Sequence, residues 1–166
     1  VIADHARAAT FLIADGVYPS NEWRGYVLRR IMRRAMRHGR LLGLSEPFLW
    51  ELTGTVVAAM GEAYPEIVEQ RQRVAEAVRA EEERFAETLD TGMAKIREYL
   101  EGASSSTKVV DGKFLFTLYD TYGFPLDLAQ EVFQDFGWAV PEASLREYEA
   151  AMASQRERAR AGSAFG

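Results

Sequence analysis

The sequence predicts an all-α chain, a helical bundle with one long helix. Two observations carry that expectation. Apolar residues recur at three- and four-residue spacing along most of the 166 positions, and Gly and Pro mark the short stretches between those segments. The 48% apolar and 11% aromatic fractions exclude a disordered chain. The absence of Cys excludes a disulfide scaffold, a thiol nucleophile and any Cys-ligated metal, and two His make a His-rich metal site implausible. No apolar run nears the ~20 residues that span a bilayer, and no signal-peptide pattern opens the chain. The first residue is not Met and already sits in a helical pattern, as expected for a piece of a larger protein.

Residues 1–14 read as a helix, with Ile2, Ala6, Ala9 and Ile13 on one stripe, and Asp15-Gly16 stops it. Pro19-Ser20-Asn21 forms the next turn, Ser20 or Asn21 being a natural N-cap. The second helix spans about 22–38 and ends at Gly39. On a helical wheel Val27, Leu28, Ile31, Met32, Ala35 and Met36 fill one half, and Arg29, Arg30, Arg33, Arg34, Arg37 and His38 the other. A third helix covers about 46–60. One long charged helix runs over about 65–100, with apolar marks at Val74, Val78, Phe85, Leu89, Met93, Ile96 and Leu100, and either kinks near Thr91-Gly92 or packs along its whole length against other helices.

Gly102 to Thr107 is a Ser-rich linker that divides the chain into subdomains 1–103 and 104–166. Residues 108–114 fit a short β-hairpin turn or a cap. Phe114, Leu115 and Leu118 suit a helical turn leading to Asp120-Thr121-Tyr122-Gly123-Phe124-Pro125. Pro125 opens a helix over about 126–136, closed by Gly137, and Pro141-Glu142 leads into a polar helix to about residue 161.

A net charge of −5 argues against a nucleic-acid binder until it is resolved along the chain. From Asn21 to Leu44 seven arginines face one acid, a net of +6, and the remainder carries −11. Catalytic patterns are missing: there is no glycine-rich phosphate loop and no HExxH. Asp4 and His5 are adjacent, so on a helix they diverge and form no acid–base dyad by themselves. Glu81, Glu82, Glu83 and Glu87 read as a solvated face.

The arginine face admits three partners: the chain's own acids, a phosphate backbone or an anionic membrane. Arg at all seven positions favours bidentate carboxylate or phosphate. The membrane fits poorly, because the apolar half lacks interfacial Trp and Phe. Asn21 and Asp120 read either as caps or intramolecular partners, or as groove-reading groups, the amide both donating and accepting and the carboxylate accepting only.

At these residues a resemblance appears. Val1-Ile-Ala-Asp-His, Phe11-Leu-Ile-Ala-Asp-Gly-Val, Pro19-Ser-Asn-Glu and Arg24-Gly-Tyr-Val-Leu-Arg-Arg-Ile, with Arg33-Arg-Ala and Arg37-His-Gly, resemble the helical domain that follows the class II catalytic core of alanyl-tRNA synthetases. Glu81-Glu-Glu-Arg-Phe85 with Thr88-Leu89, Leu118-Tyr-Asp-Thr-Tyr-Gly-Phe-Pro125 and Gln155-Arg-Glu-Arg-Ala-Arg with Phe165-Gly166 agree in order, so the likeness covers essentially the whole chain. It implies a domain that grips the tRNA(Ala) acceptor stem and reads its G·U wobble pair, with Asn21 and Asp120 as the reading pair and Arg24, Arg29, Arg30, Arg33, Arg34 and Arg37 on phosphate. It implies a cytoplasmic parent, an ATP-dependent alanine–tRNA ligase, whose catalytic core (ATP with Mg) and zinc-bearing editing domain adjoin this stretch. The fragment itself then has no catalytic residue, metal or cofactor. Trp23 receives no role. The competing expectation is a helical spacer between catalytic and editing domains.

Overall fold

The structure, a computed structural model, describes residues 1–103 and 107–163. Ser104, Ser105 and Ser106 of the linker, and the Phe165-Gly166 end of the last resembling block, lie outside the described residues. Among the described residues there are eight helices: α1 Ile2–Ala14, α2 Trp23–Leu41, α3 Leu49–Met60, α4 Pro65–Glu69, α5 Arg71–Gly102, α6 Gly112–Asp120, α7 Leu126–Asp135 and α8 Glu142–Ser163. The chain is all-α, as its periodicity requires. It forms two compact units, Val1–Glu87 and Thr88–Gly166. The sequence division at residue 103 follows the serine stretch instead.

In the first unit α1 packs on α2 and α3. Its contact stripe holds Ala6 and Ala9, both buried, whose small side chains let the neighbouring helices approach closely. Ile13, Leu28, Met32, Leu49 and Ile67 close the core, each fully buried and each contributing about 1.5–3 kcal/mol of transfer free energy. Three sequence-drawn boundaries move. Gly39 does not end α2; it lies inside the helix, where a Cβ would collide with the Phe48 ring. The stop is Gly43, at φ +85, a backbone conformation glycine adopts without steric cost. The helix expected from 46 begins at Leu49, and the long helix expected from 65 is interrupted at Gln70.

His5, on α1, has its pKa lowered, first by burial and then by Arg34; Asp4 opposes this and the amino terminus reinforces it. Its Nδ1 lies 3.7 Å from Asp4 Oδ2, too far for a hydrogen bond. Folding therefore disfavours the imidazolium, and the unfolded chain binds the proton first. Stability from this group is complete above the ordinary value of 6.5 and is lost as pH falls through the lowered one. Urea midpoints at pH 7.5 and 5 should fall less for His5→Gln than for the parent; equal drops would remove His5 as a cause.

In the second unit α6 packs on α7 and α8. The Tyr99 ring stacks on Phe114 at 4.1 Å, and Phe133 meets both rings edge-on. Phe124 fits against Gly92, a close-packing site within α5, whose helix runs through Thr91-Gly92 without a break. The hairpin considered for 108–114 is not present: Val109 makes a single parallel bridge to Ala139, and α6 starts at Gly112 before any return strand. Glu147 of α8 accepts the Gly112 N–H at 3.1 Å, and Asp111 accepts from Lys113 N–H at 2.8 Å, so both caps of α6 are carboxylates facing its positive end.

Candidate nucleic-acid interface

The arginines of α2 do not form one solvent face. Arg29 and Arg33, four residues apart, turn toward α5, where their Nε atoms lie 3.0 and 3.2 Å from Glu81 Oε1. Arg84 reaches the other carboxylate oxygen at 3.5 Å. Glu81 is 1% exposed. The Arg33 guanidinium also lies over the Phe85 ring at 4.1 Å, a cation–π contact on the same stripe of α5. Arg37 follows one turn later and is 2% exposed. A buried carboxylate among guanidiniums is compensated by their opposite charge, and removing either side would strand a charge.

Arg24, Arg30 and Arg34 remain on the outer surface. Beside them stand Trp23, Tyr26 and Val27, and Val27, placed by the wheel on the apolar half, is 53% exposed. The wheel gives angular position, but α5 covers the side bearing Arg29 and Arg33 and leaves the Val27 side open. The acid run divides the same way: Glu81 and Glu82 are buried, contrary to their reading as a solvated face, while Glu83 and Glu87 are exposed as that reading has it.

Asn21 is not the N-cap of α2. Glu22 occupies that position with no side-chain cap bond, and Ser20 Oγ donates to the Glu22 carbonyl at 2.9 Å. The Asn21 side-chain oxygen accepts from Arg29 Nη1, so one chain of contacts runs from Glu81 through Arg29 to Asn21. Gly25 keeps this loop close: a Cβ there would collide with the Tyr18 carbonyl oxygen and Ser20 Oγ. Gly25, Glu81 and Phe85 are thus site-building residues that carry no chemistry-bearing motif in the sequence.

Asp120 belongs to the second unit and is the last residue of α6. A carboxylate at a helix C-terminus opposes the macrodipole by about 0.3–1 kcal/mol, so helix stability does not account for it there. It is exposed, accepts from Gln155 Nε2, and makes no ion pair among the described residues. Gly123, at φ +67, turns the chain just after it, with Phe124 N–H donating to Leu118 C=O at 2.8 Å. Near this turn a groove of about 630 Å³ is lined by Lys95, Tyr99, Phe114, Thr117 and Tyr122. Lys95 sits 5.9 Å from the Tyr122 ring, and its pKa is raised by its hydrogen bond to Glu98.

Among the described residues no group of three His, Cys, Asp or Glu is placed to hold a metal ion, and no helix is long and apolar enough to cross a membrane. The model of the family described as tRNA synthetases class II (A) matches residues 1–166. Similar proteins include the alanine–tRNA ligases of Magnetococcus marinus, 55% identical over 97% of this chain, and Stenotrophomonas maltophilia, 56% identical over all of it. That of Xanthomonas oryzae pv. oryzae is 54% identical over the full chain. The chain spans 18% of the length of each of these relatives.

Proposed function

The chain belongs to the alanyl-tRNA synthetase family, and from that premise we propose that it is the helical segment that grips the tRNA(Ala) acceptor stem. The observation carrying this reading is the division of α2: Arg29 and Arg33 are held on one buried carboxylate, while Arg24, Arg30 and Arg34 remain on the surface. Asn21 stands at the start of that same helix. Exposed guanidiniums place an RNA backbone and base-edge groups read it. In an A-form stem the wide minor groove is the legible one, and a G·U pair presents there a guanine amine without its usual partner. Asp120, an exposed acceptor-only group, suits that amine, and Asn21 supplies the second reading group.

On this proposal Arg24, Arg30 and Arg34 make the phosphate contacts, and Arg29, Arg33 and Arg37 set the helix that carries them. The parent would be a cytoplasmic, ATP-dependent alanine–tRNA ligase whose catalytic and editing domains adjoin this segment. ATP, Mg and zinc would serve those domains.

Titrating the 166-residue chain with a minihelix bearing G·U or G·C tests the reading. Binding should weaken linearly in log salt. Asp120→Ala should erase about 1–3 kcal/mol of G·U preference, whereas Arg30→Ala should weaken both stems alike. Equal losses on the two stems for Asp120→Ala would end its reading role. No binding at low salt would leave the spacer alternative.

A further inference from the structure

We propose that Trp23 is a stacking platform for an unpaired nucleotide of the RNA, an inference that rests on the acceptor-stem reading above. Trp23 has φ +51, in the left-handed region that bulky side chains avoid. Its indole is 89% exposed, the most open of the large apolar side chains among the described residues. Strained backbone together with an aromatic surface left in water serves neither the local fold nor the core. Such a combination points to a side chain held out for a ligand.

The neighbours define which ligand. Trp23, Val27, Arg30 and Arg34 follow one another at spacings of four, three and four, which lines them along one face of α2. Tyr26, half exposed beside them, has the Arg30 guanidinium 6.0 Å from its ring centre. Arg24, Arg30 and Arg34 are exposed on α2, and the segment 21–44 that holds them carries seven arginines and one acid, Glu22, a charge excess complementary to a polyanion. Aromatic rings interleaved with guanidiniums match the faces of bases strung on phosphates. Bases inside a stem are covered above and below by their neighbours, so an indole can stack only on an unpaired or terminal one. The outward face of α2 therefore takes the end of the stem, with Trp23 on a base of its single-stranded extension and the arginines on the adjoining stem phosphates.

Two RNAs and two variants test this. The 166-residue chain, Trp23→Gly and Trp23→Phe are titrated with a blunt stem and with the same stem carrying a four-nucleotide 3′ extension. Gly suits a positive φ, so Trp23→Gly should raise the thermal midpoint, which also shows that the variant folds. It should weaken the extended stem about tenfold, the scale of one lost stacking contact, and shift the blunt stem less than twofold. Trp23→Phe should keep most of the affinity for the extended stem. Equal weakening on both RNAs, or no weakening on either, would overturn the stacking role and leave the face to a protein partner. Failure of the parent chain to bind either RNA would overturn the acceptor-stem reading itself.

Discussion

Glu81→Ala should cost the first unit about 3–5 kcal/mol, the scale for removing one partner of a buried ion cluster. The carboxylate is 1% exposed and lies within 3.0–3.5 Å of Arg29, Arg33 and Arg84. Its loss leaves Arg29 and Arg33 half-buried, side by side and of like charge. Against a typical domain stability of about 5–15 kcal/mol this is a large fraction, so the urea midpoint should drop steeply. Added salt should restore part of the loss by screening the exposed part of the repulsion. Glu83→Ala, which breaks only the exposed pair with Arg79, should cost about 0.5 kcal/mol or less. A Glu81→Ala loss below about 1 kcal/mol would show that the cluster is not what sets α2. Because Arg29 also holds the Asn21 side chain, Glu81→Ala should reduce G·U preference in whatever protein remains folded.

The same residue shows where sequence reading works and where it stops. The apolar stripe of α5 was legible as Val74, Val78, Phe85 and Leu89, with an interval of seven between Val78 and Phe85. Glu81 lies three residues after Val78 and four before Phe85, so helical geometry puts it on the buried stripe. A run of three glutamates reads as solvated by composition, and only the arginines arriving from α2 overturn that. Helix α1 was legible because an apolar stripe and a Gly boundary agree, and α7 and α8 because Pro or Gly marks their ends. Gly39 was misread because glycine serves both as a helix stop and as a close-approach site, and the distinction lies in Phe48, nine residues away. Gln70 carries no breaker signal at all. The proposed reading roles of Asn21 and Asp120 came from likeness to a family; their spacing of 99 residues has no geometric content in sequence.

Glu82→Ala should cost about 3 kcal/mol, because one charged acceptor serving several buried donors leaves all of them unsatisfied when removed. Its Oε1 takes the N–H groups of Phe48 and Leu49 at 2.9 and 2.8 Å, and Oε2 takes that of Trp50 at 3.0 Å. These are the first donors of α3, which has no cap from its own N-cap residue, Phe48. A carboxylate at that end also meets the positive pole of the helix. Glu82→Gln should lose about half as much: one oxygen still accepts, but the amide nitrogen turns a donor toward a donor. Amide hydrogen exchange at residues 48–50 should accelerate in both variants while exchange in α7 is unchanged. Exchange at 48–50 that stays slow would show that another group caps α3. The consequence reaches the arginine helix, since Phe48 is the ring lying against Gly39 inside α2. Adjacent acids on α5 thus fix the arginine helix at two places: Glu81 through Arg29 and Arg33, and Glu82 through the loop that buttresses its last turns.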